Sequence, residues 1–403
     1  MLTSLALVFL VGLSVAAVCE RIRLPRIIGM LVTGIVLGPY VLDFFDPSIL
    51  NISSELRQMA LIIILIKAGL SLDLADLKKV GRPALLMSFL PACFEIAALV
   101  LIAPTLLQVS RLEAAIMGAV LGAVSPAVVV PRMVDLMEKH LGTDKNIPQL
   151  IMAGASLDDV FVIVLFTSFC GMAQGNGISV LSFAEVPVSI VLGILLGILT
   201  GFMMGKVFET LHKMERTVRN SYKTILVLGM AFLMMAAEAW LEGTVPVSGL
   251  LAVMSMACAM KMNCDESVGI DLAGKFGKLW LAAEVILFVL VGAAVDIRYT
   301  LEAGAMAILV IVIALAFRSL GVWLCLVGTD LNRKEKLFCV ISYLPKATVQ
   351  AAIGSVPLSL GLPCGKLVLS VAVLSILLTA PLGALGMDAT KNKFLSAEER
   401  VPN

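Results

Sequence analysis

Residues 118–131 read GAVLGAVSPAVVVP, and residues 342–350 read SYLPKATVQ. Each lies within a long apolar run, and each run is interrupted by proline: Pro126 and Pro131 in the first, Pro345 in the second. Proline removes a backbone donor and crowds the preceding turn, so a helix that meets it mid-run kinks or breaks. Gly122 and Ser125 stand just ahead of the first break, and Lys346 follows the second. Backbone freed in hydrocarbon must line a cavity or find protein partners. Two broken helices at matching places bring half-helix ends together, and those ends carry partial charges that an ion or a carboxylate can use.

The two runs match because the chain repeats itself. Shifted by 223 residues, Ala123–Ala127 falls on Lys346–Gln350, Glu95 on Arg318, and Gly69 and Asp73 on Gly292 and Asp296. Near the start the register slips slightly, setting Pro25 and Gly29 against Pro246 and Gly249. Identity within each match is low; the shared register is the signal.

Composition sets the class. Of 403 residues, 60% are hydrophobic and 15% charged, with a mean hydropathy of +1.03. Soluble domains run about 45–50% apolar and about 25% charged. The chain is therefore expected to be an all-α polytopic membrane protein. Thirteen apolar segments are expected as spans, at 2–18, 27–43, 57–72, 84–107, 112–132, 148–172, 183–211, 222–241, 246–262, 275–296, 300–327, 336–360 and 366–386. Most approach the ~20 residues that cross a ~30 Å hydrocarbon core. Residues 1–18 have no basic n-region and are read as a retained helix, not a signal peptide.

Spans 1–6 (residues 1–172) then correspond to spans 8–13 (222–387), with span 7 (183–211) as a linker helix. An offset of seven spans inserts the second half in the opposite sense, giving two inverted six-helix repeats, an arrangement of secondary transporters with a midplane binding site. Basic residues alternate in the same way. Twenty-three follow odd-numbered spans, four follow even-numbered ones, and Lys67, Arg318 and Lys346 lie inside spans. The positive-inside rule places the amino terminus outside and the carboxyl terminus in the cytoplasm.

Net charge is +1, which offers nothing to nucleic acid. Eight cysteines without a CxxC and only two histidines argue against a zinc site. The 21 methionines, without MxxM clustering, read as packing.

The chemistry is in span 6, AGASLDDVFVIVL over residues 153–165, where Asp158 and Asp159 sit near the bilayer centre. One charge there costs at least ~2.5–3.5 kcal/mol on insertion scales. On a helix the two diverge by about 100°, so one can face a wet cavity while the other faces a partner. Such a carboxylate binds either a proton or a hard cation, and competition between those ligands is all that proton–cation exchange requires. A salt bridge from this pair to span 11 or 12 is the structural alternative. Glu95 and Arg318, equivalent across the repeats, are predicted to form a buried ion pair. Lys346 neutralises the half-helix end of span 5, braces Asp158 or releases a proton; bracing is preferred. Glu284, deep in span 10, meets Lys346, the cavity or a simple polar contact. Lys67 is expected to snorkel.

Ser156-Leu-Asp158-Asp159, the Ser125-Pro126 break and residues 344–352, LPKATVQAA, resemble the cation:proton antiporter superfamily, most closely its NHA-type sodium/proton antiporters. The resemblance covers essentially the whole chain. It implies an NhaA-like fold with two crossed discontinuous helices, and an elevator in which a core domain (spans 3–6 and 10–13) slides against a dimerisation domain (spans 1–2 and 7–9) of a homodimer. It implies Asp159 as the principal cation and proton site, Asp158 as its assistant, and Ser125 and Thr348 at the helix crossing. Antiporters that exchange unequal charge commonly carry a lysine where this chain has Arg318. That arginine, opposite Glu95, resembles the charge-balanced exchangers, whereas the aspartate pair resembles the other branch.

The expected function is exchange of Na+ or Li+ for H+ across a bilayer, with no cofactor, no nucleotide and no enzymatic activity, in a plasma or inner membrane of bacterial type. A sodium-coupled organic-anion symporter of related fold is the alternative. An intramembrane aspartyl protease needs its aspartates on separate helices, and here they are neighbours.

Overall fold

Apolar runs satisfy their own backbone in lipid by coiling into helices, and among the described residues every regular element is helical. The computed structural model describes residues 1–22, 24–71, 74–174, 180–213, 220–241, 245 and 247–396. Asp73 and Pro246, which match across the repeat, lie outside them, as do four of the basic residues that follow odd-numbered spans, Arg23, Arg216, Arg219 and Arg400.

In chain order the helices are α1 (Leu2–Arg21), α2 (Arg26–Leu37), α3 (Pro47–Asn51), α4 (Ser53–Ser71), α5 (Leu74–Met87), α6 (Leu90–Leu107), α7 (Arg111–Leu121), α8 (Pro126–Glu138) and α9 (Ile147–Gln174). They continue with α10 (Val180–Lys213), α11 (Asn220–Leu241), α12 (Gly249–Met262), α13 (Glu266–Ala293), α14 (Ile297–Cys325), α15 (Arg333–Ser342), α16 (Thr348–Gly354), α17 (Val356–Ser359) and α18 (Gly365–Phe394). Nine stretches among the described residues are long and apolar enough to cross a membrane, and α2 and α12 are shorter apolar helices. The other two expected spans fall on α4, which carries Arg57 and Lys67, and on the broken run α15–α17.

Boundaries follow local chemistry. The second apolar segment, expected over 27–43, is helical only to Leu37. Gly38 is extended and Pro39 follows it, and the residue before a proline is steered away from helical conformation. Inside α5, Gly81 takes φ +69° with open space around it, a left-handed turn that favours glycine. Each interrupted helix opens with a capping box: Ser110 with Glu113 ahead of α7, and Asn332 with Glu335 ahead of α15. Each then stops near its proline. Residues 122–125 separate α7 from α8, and residues 343–347 separate α15 from α16. Pro126 takes the first position of α8, where its missing N–H is no loss.

The chain forms two compact units. One comprises Met1–Ser54, Asp73–Phe166 and Phe288–Asn403; the other, Glu55–Leu72 and Thr167–Leu287. In the first unit α14 lies along α6, α6 packs on α7, α1 pairs with α2, and α18 runs against α7, α8, α15 and α16. At one end of the broken helices, Arg132 pairs with Asp388 at 3.2 Å, Lys391 with Asp135 at 3.1 Å, and Lys145 with Glu335 at 2.8 Å. The hydrogen bond to Glu335 raises the Lys145 pKa. Its contribution is therefore complete below the ordinary lysine value of 10.5 and is lost only as the pH climbs beyond it.

In the second unit the main seam is α10 on α12. Gly193, Gly197, Gly201 and Gly205 recur every fourth residue along α10. A Cβ on these would meet Ser248, Ala252 and Ser255, Met256 and Asn263 in turn. Small residues at this spacing let two membrane helices approach backbone to backbone. Also in this unit, Lys67 lies 5.9 Å from the centre of the Trp280 ring, half-buried, and it feels the charge of Glu284. Replacing Gly197 with leucine is expected to prise α10 from α12 and cost about 1–3 kcal/mol. Gly229→Leu, on α11 with nothing within 4 Å of its Cβ, is expected to leave stability unchanged. Thermal melts of the purified variants in detergent check both.

Candidate ion site at the crossing of two broken helices

The two interruptions meet. Ser125 donates its backbone N–H to the Pro345 carbonyl at 2.8 Å, tying one break to the other. Helix α7 ends with carbonyls that have no intrahelical partner, and a helix carboxyl end carries partial negative charge. Cationic and amide donors meet those carbonyls. Lys346 Nζ donates to the Leu121 carbonyl, Arg318 Nη1 to that of Gly122, and Gln350 Nε2 to that of Ala123 at 2.7 Å. On the amino side of α8 the Val124 N–H donates to Asp158 Oδ2 at 2.9 Å. Across the crossing, the Tyr343 carbonyl accepts from Arg318 Nε at 2.8 Å. The Lys346 N–H donates to Thr379 Oγ1 at 2.9 Å and the Ala347 N–H to Gln350 Oε1 at 2.7 Å.

Arg318 and Lys346 also carry the ion pairs. Arg318, on α14, is wholly buried and forks: Nη1 lies 2.9 Å from Glu95 Oε2 and Nη2 lies 2.8 Å from Asp158 Oδ2. Its guanidinium carbon sits 5.6 Å from the centre of the Tyr343 ring. Lys346 Nζ is 2.6 Å from Glu95 Oε2. The bracing of Asp158 preferred for Lys346 is therefore made by Arg318 instead. The planar guanidinium serves two carboxylates at once, while the ammonium at the second break reaches Glu95 and the α7 terminus.

Asp158 and Asp159 both lie on α9. Asp158 is fully buried and Asp159 is 8% exposed. Among the described residues Asp159 forms no ion pair, and its Oδ1 is buried without a hydrogen-bond partner. The same holds for Asp158 Oδ1, Glu95 Oε1, Ser125 Oγ and the Tyr343 hydroxyl. Thr348, which opens α16, is buried. The Ser156 side chain lies outside the described residues. No three His, Cys, Asp or Glu residues gather among the described residues as a metal cage. A hard cation here would rest on one or two carboxylates with neutral oxygens, the donor type such ions take.

Gln350, Tyr343 and Thr379 were not singled out from sequence. Gln350 stands three residues after Ala347, the spacing at which a glutamine reaches back to a helix-start N–H. Tyr343 and Thr379 carry no comparable sequence signal, because their roles depend on what folds against them.

A family model described as the transmembrane sodium/hydrogen exchanger matches residues 5–388. Sodium/hydrogen exchanger 9B2 of Homo sapiens is 35% identical over 373 residues, which cover 90% of this chain and 68% of that protein. Sodium/hydrogen exchanger 9B1 of Mus musculus is 34% identical over 388 residues, covering 93% and 67%. The solved structure of the sodium proton antiporter MjNhaP1 from Methanocaldococcus jannaschii at pH 8 superposes with a TM-score of 0.81 at 21% identity, covering 98% of both chains. The all-helical, multi-pass membrane fold is shared with that structure.

Removing the guanidinium takes from Asp158 its cationic partner, leaves Glu95 to Lys346 alone and strands the Gly122 and Tyr343 carbonyls. Arg318→Gln is expected to cost about 3–5 kcal/mol, read as early unfolding in a thermal melt. Gln350→Leu, which strands only neutral groups, is expected to cost about 1–3 kcal/mol.

Proposed function

Because this chain belongs to the transmembrane sodium/hydrogen exchanger family, we propose that it exchanges Na+ or Li+ for H+ by alternating access, with cation and proton competing for Asp159. Its relatives are named as exchangers, not enzymes. Their 9B1 and 9B2 names agree with the NHA-type resemblance and favour exchange over organic-anion symport.

The observation that carries this reading is a charge count. Glu95, Asp158 and Asp159 bring three carboxylates to the crossing; Arg318 and Lys346 bring two cations. Both cations are engaged, with Glu95 and Asp158. Asp159 is left as the uncompensated acid, and a buried charge needs a counter-charge or a proton. A proton and a cation each meet that need, and they exclude one another. Asp158, held by Arg318 and the Val124 N–H, supports the ion from one side. Ser125 and Asp159 contribute further unpaired oxygens.

The same chemistry supports the wider architecture. Glu95 and Arg318, 223 residues apart, lie in hydrogen-bond contact, as equivalent positions beside a pseudo-two-fold axis would. This favours two inverted six-helix repeats within thirteen spans, the count at which basic residues alternate side by side. In an elevator, the groups around the crossing would move together past a dimerisation domain of a homodimer, carrying Asp159 from one face to the other. The proposed orientation has the amino terminus outside and the carboxyl terminus in the cytoplasm.

The test is proton movement in proteoliposomes under an imposed pH gradient, with Na+, Li+ or K+ added in turn. Na+ or Li+ is expected to trigger proton movement, Asp159→Asn to abolish it, and Asp158→Asn to weaken it. Cation-triggered proton movement that survives Asp159→Asn would remove Asp159 from the proposed role.

A further inference from the structure

Tyr343 is one of the largest fully buried side chains, and its hydroxyl has no hydrogen-bond partner. It does not sit in neutral packing. Its carbonyl holds Arg318 Nε, its ring lies against the Arg318 guanidinium, and its phenol feels the charge of Asp158. The hydroxyl presses on α9 at Gly154, where a Cβ would run into it. Gly154 lies one turn before Asp158. Helical side chains lean back over the preceding turn, so the Asp158 carboxylate and the Tyr343 hydroxyl share one patch of α9. On that patch one donor, the Tyr343 O–H, and one acceptor, Asp158 Oδ1, are both buried and unmatched. Asp158 Oδ2 is already occupied by Arg318 and Val124.

We propose that Tyr343 is a positioning residue for exchange: its hydroxyl donates to Asp158 Oδ1, directly or through one water, when a cation loads beside Asp159. This inference rests on the Asp159 reading above. Arg318 and the Val124 N–H hold Asp158 through one oxygen, Oδ2, and nothing holds the other. A donor on the second oxygen fixes its plane and holds its negative charge toward the ion. Glycine at 154 leaves the room the hydroxyl needs to reach this place.

The full-length protein in proteoliposomes tests the inference, with initial rates of proton movement measured against Na+ concentration. Tyr343→Phe keeps the ring and removes the donor. Its KM for Na+ is expected to rise about tenfold, the worth of one hydrogen bond to a charged group, with kcat within about twofold. Gly154→Ala, whose methyl displaces the hydroxyl, is expected to raise KM similarly. The double variant separates packing from hydrogen bonding, because the alanine methyl takes the space the phenol oxygen leaves. If the hydroxyl positions Asp158, the double variant keeps the high KM; if only packing matters, it returns to the parent value and the proposal falls. An unchanged KM in Tyr343→Phe overturns it too. Asp159→Asn runs alongside: transport that persists in Asp159→Asn fails the ion-site reading itself, whereas its loss beside an unaltered Tyr343→Phe fails only this inference.

Discussion

Interrupting a helix inside a membrane exposes peptide groups where no water waits to take them, and the rest of the site follows from that. The break after Leu121 frees the carbonyls of Leu121, Gly122 and Ala123 and the N–H groups of Val124 and Ser125. Each has a named partner: Lys346, Arg318, Gln350, Asp158 and the Pro345 carbonyl. The break around Pro345 is served in turn by Arg318, Thr379, Gln350 and Ser125. An unpaired buried amide costs about 1–3 kcal/mol, so a crossing with these groups unmet would not persist.

The groups that satisfy the backbone are also the charged ones. Arg318 and Lys346 sit where the α7 carboxyl end is partially negative, and Asp158 where the α8 amino end is partially positive. Their presence in apolar runs is therefore explained before any ion is considered. What backbone chemistry does not use is Asp159, together with the unpaired Asp158 Oδ1, Glu95 Oε1, Ser125 Oγ and Tyr343 hydroxyl.

Much of this was legible in the chain. Pro126 and Pro345 announced the breaks because proline acts locally through a missing N–H. The Glu95–Arg318 contact could be anticipated from the 223-residue register, since charges in apolar runs have few ways to be neutralised. Other points were not legible. The choice between Lys346 and Arg318 as the brace for Asp158 depends on side-chain reach within a few ångströms. The end of the second apolar segment at Leu37 depends on Gly38 and Pro39 overriding an apolar pattern. Gln350 and Thr379 became site residues only because freed N–H groups fell beside them.

By itself the sequence determined the class, the broken helices and the cluster of intramembrane charges, because length, hydropathy and proline act along the chain and need no partner. Only the tertiary structure decided which cation serves which carboxylate, which carbonyls they cap, and that Asp159 is the acid left over. Those outcomes are set by distances between α9, α14 and the two breaks, and hydrogen bonds and ion pairs fall off too steeply with distance for spacing along one chain to rank them.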